Sequence, residues 1–205
     1  MRVMRHFMLV LGGNPTQTHV YFRMSSPDGG LQLRPRYAGL ACRACGKFDE
    51  YAALDLGIDD DVKVSSRRDL TWTFDFCHVA GPRFREVYER AGCQGLAFIP
   101  LPKSRAPLWV IRPMTVAATD PARTQMQLVG EPCAACGRYG ETCFSPALAS
   151  MAIPTDPMVI FSPRLRTEKR NCAMTQLIVS EPVFTLLKEA RLTGIDWTAT
   201  RVSYG

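Results

Sequence analysis

Apolar residues recur with the period of an α-helix in two segments of the chain, Pro82–Ala91 and Glu181–Leu192. In each segment apolar side chains stand at positions i, i+3, i+4 and i+7, which places them on one face of a helix: Phe84, Val87, Tyr88 and Ala91, then Val183, Leu186, Leu187 and Ala190. Ser180 is a suitable N-cap for the second segment. The pattern therefore predicts two principal helices.

Short runs rich in β-branched and aromatic residues indicate strands between and around these helices. The runs are His19–Met24, Leu70–Phe76, Leu96–Leu101, Leu108–Ile111, Met158–Phe161, Leu177–Val179 and Ile195–Val202. Fifteen prolines and fifteen glycines divide the chain into short elements with long connections. We expect an α+β fold with many short, mostly antiparallel strands, built as a single compact domain over residues 1–205.

The two predicted helices lie in segments that resemble each other. Val79, Pro82 and Phe84 recur one hundred positions later as Val179, Pro182 and Phe184, and Gly95 has a counterpart in Gly194. The echo predicts an internal duplication, residues 37–113 and 128–205, each ordered as cysteine motif, strand, helix, glycine, strand. Turns of the helix–Gly–strand kind are common, so a chance likeness is the alternative.

Each predicted half contains one CxxCG motif, a short turn with two cysteines called a knuckle below. The motifs read Cys42-Arg-Ala-Cys45-Gly46 and Cys133-Ala-Ala-Cys136-Gly137. Two thiolates three residues apart chelate one metal ion, and the glycine permits the turn with positive φ. Four thiolates complete a tetrahedral zinc site without an open position, which is typical of structural metal. We predict one zinc per chain, held by Cys42, Cys45, Cys133 and Cys136.

The spacing of the knuckles leaves other arrangements open. Residues 46 to 132 separate them, whereas zinc ribbons have about 15–20 residues between their CxxC pairs. A shared ion therefore requires tertiary folding to join the two halves. The alternatives are redox dithiols, knuckles without metal, or separate sites completed by Cys143 or by the pair Cys77-His78.

Composition narrows the classes of function. The longest apolar runs fall far short of the ~20 residues that a membrane helix needs, and no export signal is apparent, so we expect a cytoplasmic protein without membrane contact. The formal net charge is +6, which suits an acidic partner or nucleic acid, although an ordinary solvated surface is the default explanation of a charge so scattered. No motif for a nucleophile, a catalytic zinc or a phosphate loop is present, and a hydrolase needs an open metal position. We expect no enzymatic activity.

The knuckles, the helix–Gly–strand echo and the ending Leu-Lys-Glu-Ala-Arg-Leu-Thr-Gly-Ile-Asp-Trp resemble the myxobacterial double-CXXCG motif family. The likeness runs from about Tyr37 to Val202. Its motif residues correspond to Cys42, Cys45, Gly46, Cys133, Cys136 and Gly137. The resemblance implies an immunity protein that binds and neutralises one cognate swarming-inhibition (Sit) toxin, a lipoprotein passed between contacting cells.

The partner-binding surface is not marked by the family motif. A cluster of basic residues beside an aromatic one is the candidate, because buried aromatic and Arg anchors carry much interface energy: Phe161, Arg164, Arg166, Lys169 and Arg170. The second class of function is a zinc-containing nucleic-acid-binding or regulatory module. Charge and knuckles favour it, but no reading helix or aromatic stacking platform accompanies them.

Overall fold

The computed structural model describes most of the chain: residues 5–12, 16, 20, 22–24, 31–120, 124–145, 147–149, 152–164, 167–169 and 172–203. The helices are a 3₁₀ helix at Pro35–Leu40, α1 at Glu50–Asp55, α2 at Pro82–Arg90 and α3 at Glu181–Glu189. The first strands are β1 His6–Leu11, β2 Phe22–Met24, β3 Leu31–Leu33, β4 Leu70–Trp72, β5 His78–Ala80, β6 Leu96–Pro100, β7 Trp109–Pro113 and β8 Val116–Ala117. The later strands are β9 Gln125–Val129, β10 Glu141–Ser145, β11 Ala147–Ala149, β12 Ser162–Pro163, β13 Thr167–Lys169, β14 Cys172–Met174, β15 Leu177–Ser180 and β16 Ile195–Ser203.

The predicted α+β class, with many short and mostly antiparallel strands, is confirmed. Both predicted principal helices form, as α2 and α3. Helix α1 was not predicted: its six residues are too short to show an apolar stripe, although Asp49 caps it by accepting hydrogen bonds from the amides of Tyr51 and Ala52. Part of the predicted strand His19–Met24 lies outside the described residues. The predicted strand Met158–Phe161 makes only isolated bridges, at Val159 and Phe161.

Helix α2 connects two strands of a four-stranded sheet, whose strand order is β4-β5-β7-β6. The chain runs from β5 through α2 into β6, and β7 lies between these two strands, antiparallel to both. On the helix face, Phe84, Val87 and Tyr88 are buried as the period predicts.

Helix α3 connects two strands of a second four-stranded sheet, whose strand order is β11-β16-β1-β15. Here the chain runs from β15 through α3 into β16, and β1 lies between them, antiparallel to both. The middle strand thus comes from residues 6–11, which lie outside both predicted halves. The duplication itself stays a prediction, but any repeat in this fold has to count β1 with the second sheet.

Two glycines with positive φ form close backbone junctions, Gly95 with the segment at Ile160 and Gly194 with β4 of the first sheet. The amide of Ile160 donates to the carbonyl of Gln94, and the amide of Leu70 donates to the carbonyl of Thr193. A Cβ at either glycine would lie inside 3.0 Å of a backbone oxygen of the facing segment, so no side chain fits.

Around these junctions lies a core cluster that both helices share. It buries residues of the first sheet and of the second together: Leu70, Ala80, Phe84, Val87, Leu96, Ile111, Leu9, Leu177, Val179, Val183 and Leu187. A second core cluster packs beneath the 3₁₀ helix and α1, around Tyr37, Phe48 and Val62. This second cluster supports the first knuckle.

A third sheet, in the order β14-β13-β10-β9, carries the second knuckle. Strands β9 and β10 form an antiparallel pair, and residues 130–140 connect them. The second knuckle therefore lies at the end of a hairpin, far along the chain from the first.

Candidate metal centre

The two knuckles adopt the same local structure. In the first, the amide of Cys42 donates to the Lys47 carbonyl at 2.7 Å, and the amide of Gly46 donates to the Cys42 carbonyl at 2.8 Å. In the second, the corresponding bonds run from Cys133 to Arg138 at 2.9 Å and from Gly137 to Cys133 at 2.7 Å.

The glycine of each knuckle carries the positive φ that this turn requires, 73° at Gly46 and 71° at Gly137. The sequence therefore determined the shape of both turns, because every bond in them is local.

Tertiary folding brings the two knuckles together. The sulfurs of Cys42, Cys45, Cys133 and Cys136 all lie within 4.8 Å of one another. Two of the separations are 3.9 Å, between Cys42 and Cys133, and 3.5 Å, between Cys45 and Cys136. A tetrahedral zinc with Zn–S bonds near 2.3 Å holds its sulfurs about 3.8 Å apart. The four thiols thus fit a metal of this kind.

Backbone hydrogen bonds favour the thiolate form at the first cysteine of each knuckle. The amides of Cys45 and Ala44 donate to the Cys42 sulfur, and they lower the pKa of that thiol to about 6. The amides of Ala135 and Cys136 lower the pKa of Cys133 in the same way. The sequence-equivalent positions thus share one electrostatic environment.

Crowding of the sulfurs acts in the opposite direction at the fourth cysteine. The Arg138 amide donates to Cys136, but burial and the neighbouring sulfurs of Cys45, Cys42 and Cys133 outweigh it and raise the pKa of Cys136 to about 12. Four thiols this close cannot all ionise unless a cation lies among them, because the negative charges of the thiolates repel one another. The donor set therefore has the chemistry of a metal site, since a bound divalent cation reverses this balance.

The first knuckle rests on the core. It lies between the 3₁₀ helix and α1, where Ala41 and Phe48 form an antiparallel bridge and Phe48 is fully buried. Lys47, directly after the knuckle glycine, is buried as well.

The second knuckle has a different anchor, the side chain of Arg138. Its guanidinium donates to the Phe48 carbonyl at 2.8 Å and lies 3.6 Å from the Glu50 carboxylate. Glu50 is buried and also accepts a hydrogen bond from the amide of Ala173, at 2.7 Å. This node of Arg138, Glu50 and Ala173 was not predicted, because its members are far apart in the sequence.

The alternative ligands do not join the cluster in the described part of the chain. Cys77 and His78 are buried and line a pocket with Glu50 and Asp75. The four knuckle cysteines form the one group of three or more possible metal ligands among the described residues, and neither Cys77 nor His78 belongs to it. Strand β10 includes Cys143, whose side chain lies outside the described residues. A separate site for each knuckle thus gains no support.

The candidate partner-binding residues are only partly described. Phe161 is 1% exposed and packs edge-on against His6 at 6.1 Å between ring centroids, so in this structure it is a core residue. Arg164 is exposed. Lys169 lies in β13, with its side chain outside the described residues, and Arg166 and Arg170 lie outside them altogether. The role of this segment stays a prediction.

No family model and no curated protein sequence matches the chain. Among the described residues, no helix is long and apolar enough to span a membrane. The resemblance to the double-CXXCG family therefore rests on the sequence motifs alone.

Proposed function

We propose that this chain is an immunity protein, which binds one cognate toxin domain in the cytoplasm and neutralises it without turnover. The observation that carries the proposal is the cluster of four cysteine sulfurs within 4.8 Å. It joins the two CxxCG motifs on which the family resemblance rests. If the two motifs serve to hold one structural metal, their four cysteines have to lie together, as they do here.

The metal in this proposal is one zinc per chain. Thiolate ligands in a tetrahedral set select zinc among the abundant divalent ions. All four positions are taken by protein, so the ion has no place for a water or a substrate. Its contribution is to stability: it ties the exposed hairpin of the second knuckle to the core-supported first knuckle.

The mode of action follows from this chemistry. A closed metal activates no water, so neutralisation proceeds by occupying a surface of the toxin. An inhibitor that works this way needs slow release and nanomolar or tighter affinity, and 1 nM corresponds to about −12 kcal/mol. The net charge of +6 favours a toxin with an acidic contact face.

The test of function is co-expression with the toxin domain encoded by the neighbouring gene. We expect growth to be rescued and a stoichiometric complex to co-purify. A toxin domain from a different strain serves as the control and should not be rescued. Rescue without any complex would contradict stoichiometric binding.

Zinc content and stability test the metal separately. We expect one zinc per chain in the purified protein, and we expect Cys133→Ser to lose it and to lower the free energy of unfolding by several kcal/mol, because metal affinity is then folding free energy. The matched control is Cys93→Ser. Cys93 is a buried thiol of the shared core, outside the cluster, and its replacement should leave the zinc content at one.

Elemental analysis and urea unfolding measure the two quantities. Full zinc content in Cys133→Ser, or equal stability of this variant and the wild type, would contradict the site.

A nucleic-acid-binding module is the second candidate, and the observation in its favour is the basic net charge. Binding of this kind weakens steeply with salt, because bound counterions are released from the phosphates. Specific binding of nucleic acid that survives about 0.2 M salt, without protection from the toxin, would favour this alternative.

A further inference from the structure

Strand β9 is exposed along its whole length. All five of its residues are exposed, and its apolar side chains reach 51% at Met126, 39% at Leu128 and 48% at Val129. The strand is the last of its sheet, paired with β10 on one edge and with no described strand on the other. Both of its faces therefore meet solvent, and no described strand covers its outer edge.

Strand β9 lacks three usual protections of a free edge. It reads Gln-Met-Gln-Leu-Val, without a charged residue or a proline. Its pairing with β10 is regular over five consecutive positions, without a bulge. Natural edge strands are blunted by such features because an open ladder of N–H and C=O groups pairs with other strands. An edge without them is built to be covered.

We infer that a second copy of this chain covers the edge, by antiparallel pairing of β9 with β9 about a two-fold axis at Gln127. In that register Met126 stands opposite Leu128 of the second copy, and Gln127 stands opposite itself. Side chains alternate along a strand, so the two Met126–Leu128 pairs form one continuous apolar patch.

The pattern of β9 favours a second copy over an unrelated strand. An isologous interface needs a surface that is complementary to itself. Gln125–Val129 meets this condition because its two inner apolar residues flank the axis symmetrically and no like charges face each other across it. Two copies of a chain with net charge +6 repel one another overall, and the neutral strand β9 adds no local repulsion at the contact itself.

The size of the contact sets the expected strength. A pair of five-residue strands buries less than the 1,200 Å² or so of a standard stable interface, so the dimer is a weak one. We expect a dissociation constant in the range from about 1 µM to about 1 mM. This association is independent of the proposed toxin.

The experiment is sedimentation equilibrium of the full zinc-loaded protein over that concentration range. The wild type should change reversibly from monomer to dimer. Gln127→Glu sets two carboxylates directly opposite each other and should weaken the dimer about fivefold, as should Gln127→Lys with two ammonium groups. An equimolar mixture of the two variants should dimerise more tightly than either alone, because opposite charges then meet at the axis.

The matched control is Gln125→Glu. Its carboxylate faces Val129 of the second copy, and the two substituted positions lie far apart across the axis. Each variant should unfold at the wild-type temperature, since the replaced side chains are exposed.

Three results would overturn the inference. They are a wild type that stays monomeric at about 1 mM, a dimer that Gln127→Glu leaves unchanged, and a mixture of variants that is no tighter than its components. A monomer whose β9 amides become protected from hydrogen exchange only in a toxin complex would assign the edge to that other partner.

Discussion

The sheets around α2 and α3 follow one plan, yet they obtain their strands in different ways. In both, a helix connects two strands, and an antiparallel strand occupies the space between them. The sheet around α2 takes that middle strand, β7, from the chain directly after β6. The sheet around α3 takes its middle strand, β1, from the N-terminal residues 6–11. A backbone ladder accepts a strand from any part of the chain, provided that its apolar face matches the core.

The difference explains where a sequence echo is visible. The helix and its two strands are consecutive in the chain, so their likeness appears as a nearly constant offset in the sequence, 100 positions at the helix and 99 at the glycine. The middle strands carry no such offset. Their equivalence is one of position in the sheet, which leaves the duplication a prediction that the following experiments sharpen.

The largest expected loss of stability follows from substitution of the two junction glycines, Gly95 and Gly194. Gly95→Ala and Gly194→Ala each place a Cβ against a backbone carbonyl oxygen, at a positive φ of 91° and 84°. Overpacking and left-handed strain together should cost about 3 to 4 kcal/mol in each variant, measured by urea unfolding. Gly92→Ala is the control, because its φ is also positive but nothing lies within 4 Å.

Gly92→Ala should cost only about 1 to 2 kcal/mol. If Gly95→Ala and Gly194→Ala differ strongly from each other, the equivalence of the two junctions fails.

The next largest effect is a pH dependence of the unfolding free energy, which we expect from a histidine in the first sheet that has no counterpart at the equivalent position of the second. His78 lies in β5 at the position that Ile178 holds in β15, and both are buried. Burial lowers the pKa of His78 from 6.5 to about 4. The unfolded chain therefore binds the proton first, so this contribution to stability is complete above pH 6.5 and is lost as the pH falls toward 4.

The loss approaches an amount on the order of 3 kcal/mol. The unfolding free energy of the wild type and of His78→Leu should be compared over this pH range, so that other groups cancel, including Glu50, Asp75 and Cys77 around the same pocket. Equal pH slopes in the two proteins would show that the pKa of His78 is the same in the folded and the unfolded chain, and would contradict the shift.

The smallest effect concerns the helix caps. Ser180 caps α3 by accepting a hydrogen bond from the Val183 amide at 3.5 Å, whereas Gly81 begins α2 without a side-chain cap. Ser180→Ala should cost about 1 to 2 kcal/mol, because it removes the cap and also the hydrogen bond that the Ser180 hydroxyl donates to the Pro157 carbonyl. Thr185→Ala is the control. Its exposed hydroxyl donates to the Glu181 carbonyl of the same helix, with no other partner among the described residues, so the substitution should change stability by less than about 0.5 kcal/mol.

Thermal unfolding measures both variants. A larger loss in Thr185→Ala than in Ser180→Ala would contradict the cap.

The accuracy of the sequence-based prediction follows the length and locality of each element. Helices α2 and α3 show their apolar period over more than two turns, and both were predicted. Helix α1 is too short for such a pattern, and Asp49 as an N-cap was the one signal that marked it. Strand β9 alternates polar and apolar residues but stands in solvent on both faces, so its pattern does not report a buried face.

The sequence by itself determined the two knuckles and the helices α2 and α3, because each is formed by hydrogen bonds and side chains within about ten residues. Only the tertiary structure decided that the knuckles meet, that Arg138 reaches the buried Glu50, and that β1 completes the sheet of α3. These contacts join residues that are 88 or more positions apart. Their energies depend on core packing and on strand register, which the local pattern of a sequence does not contain.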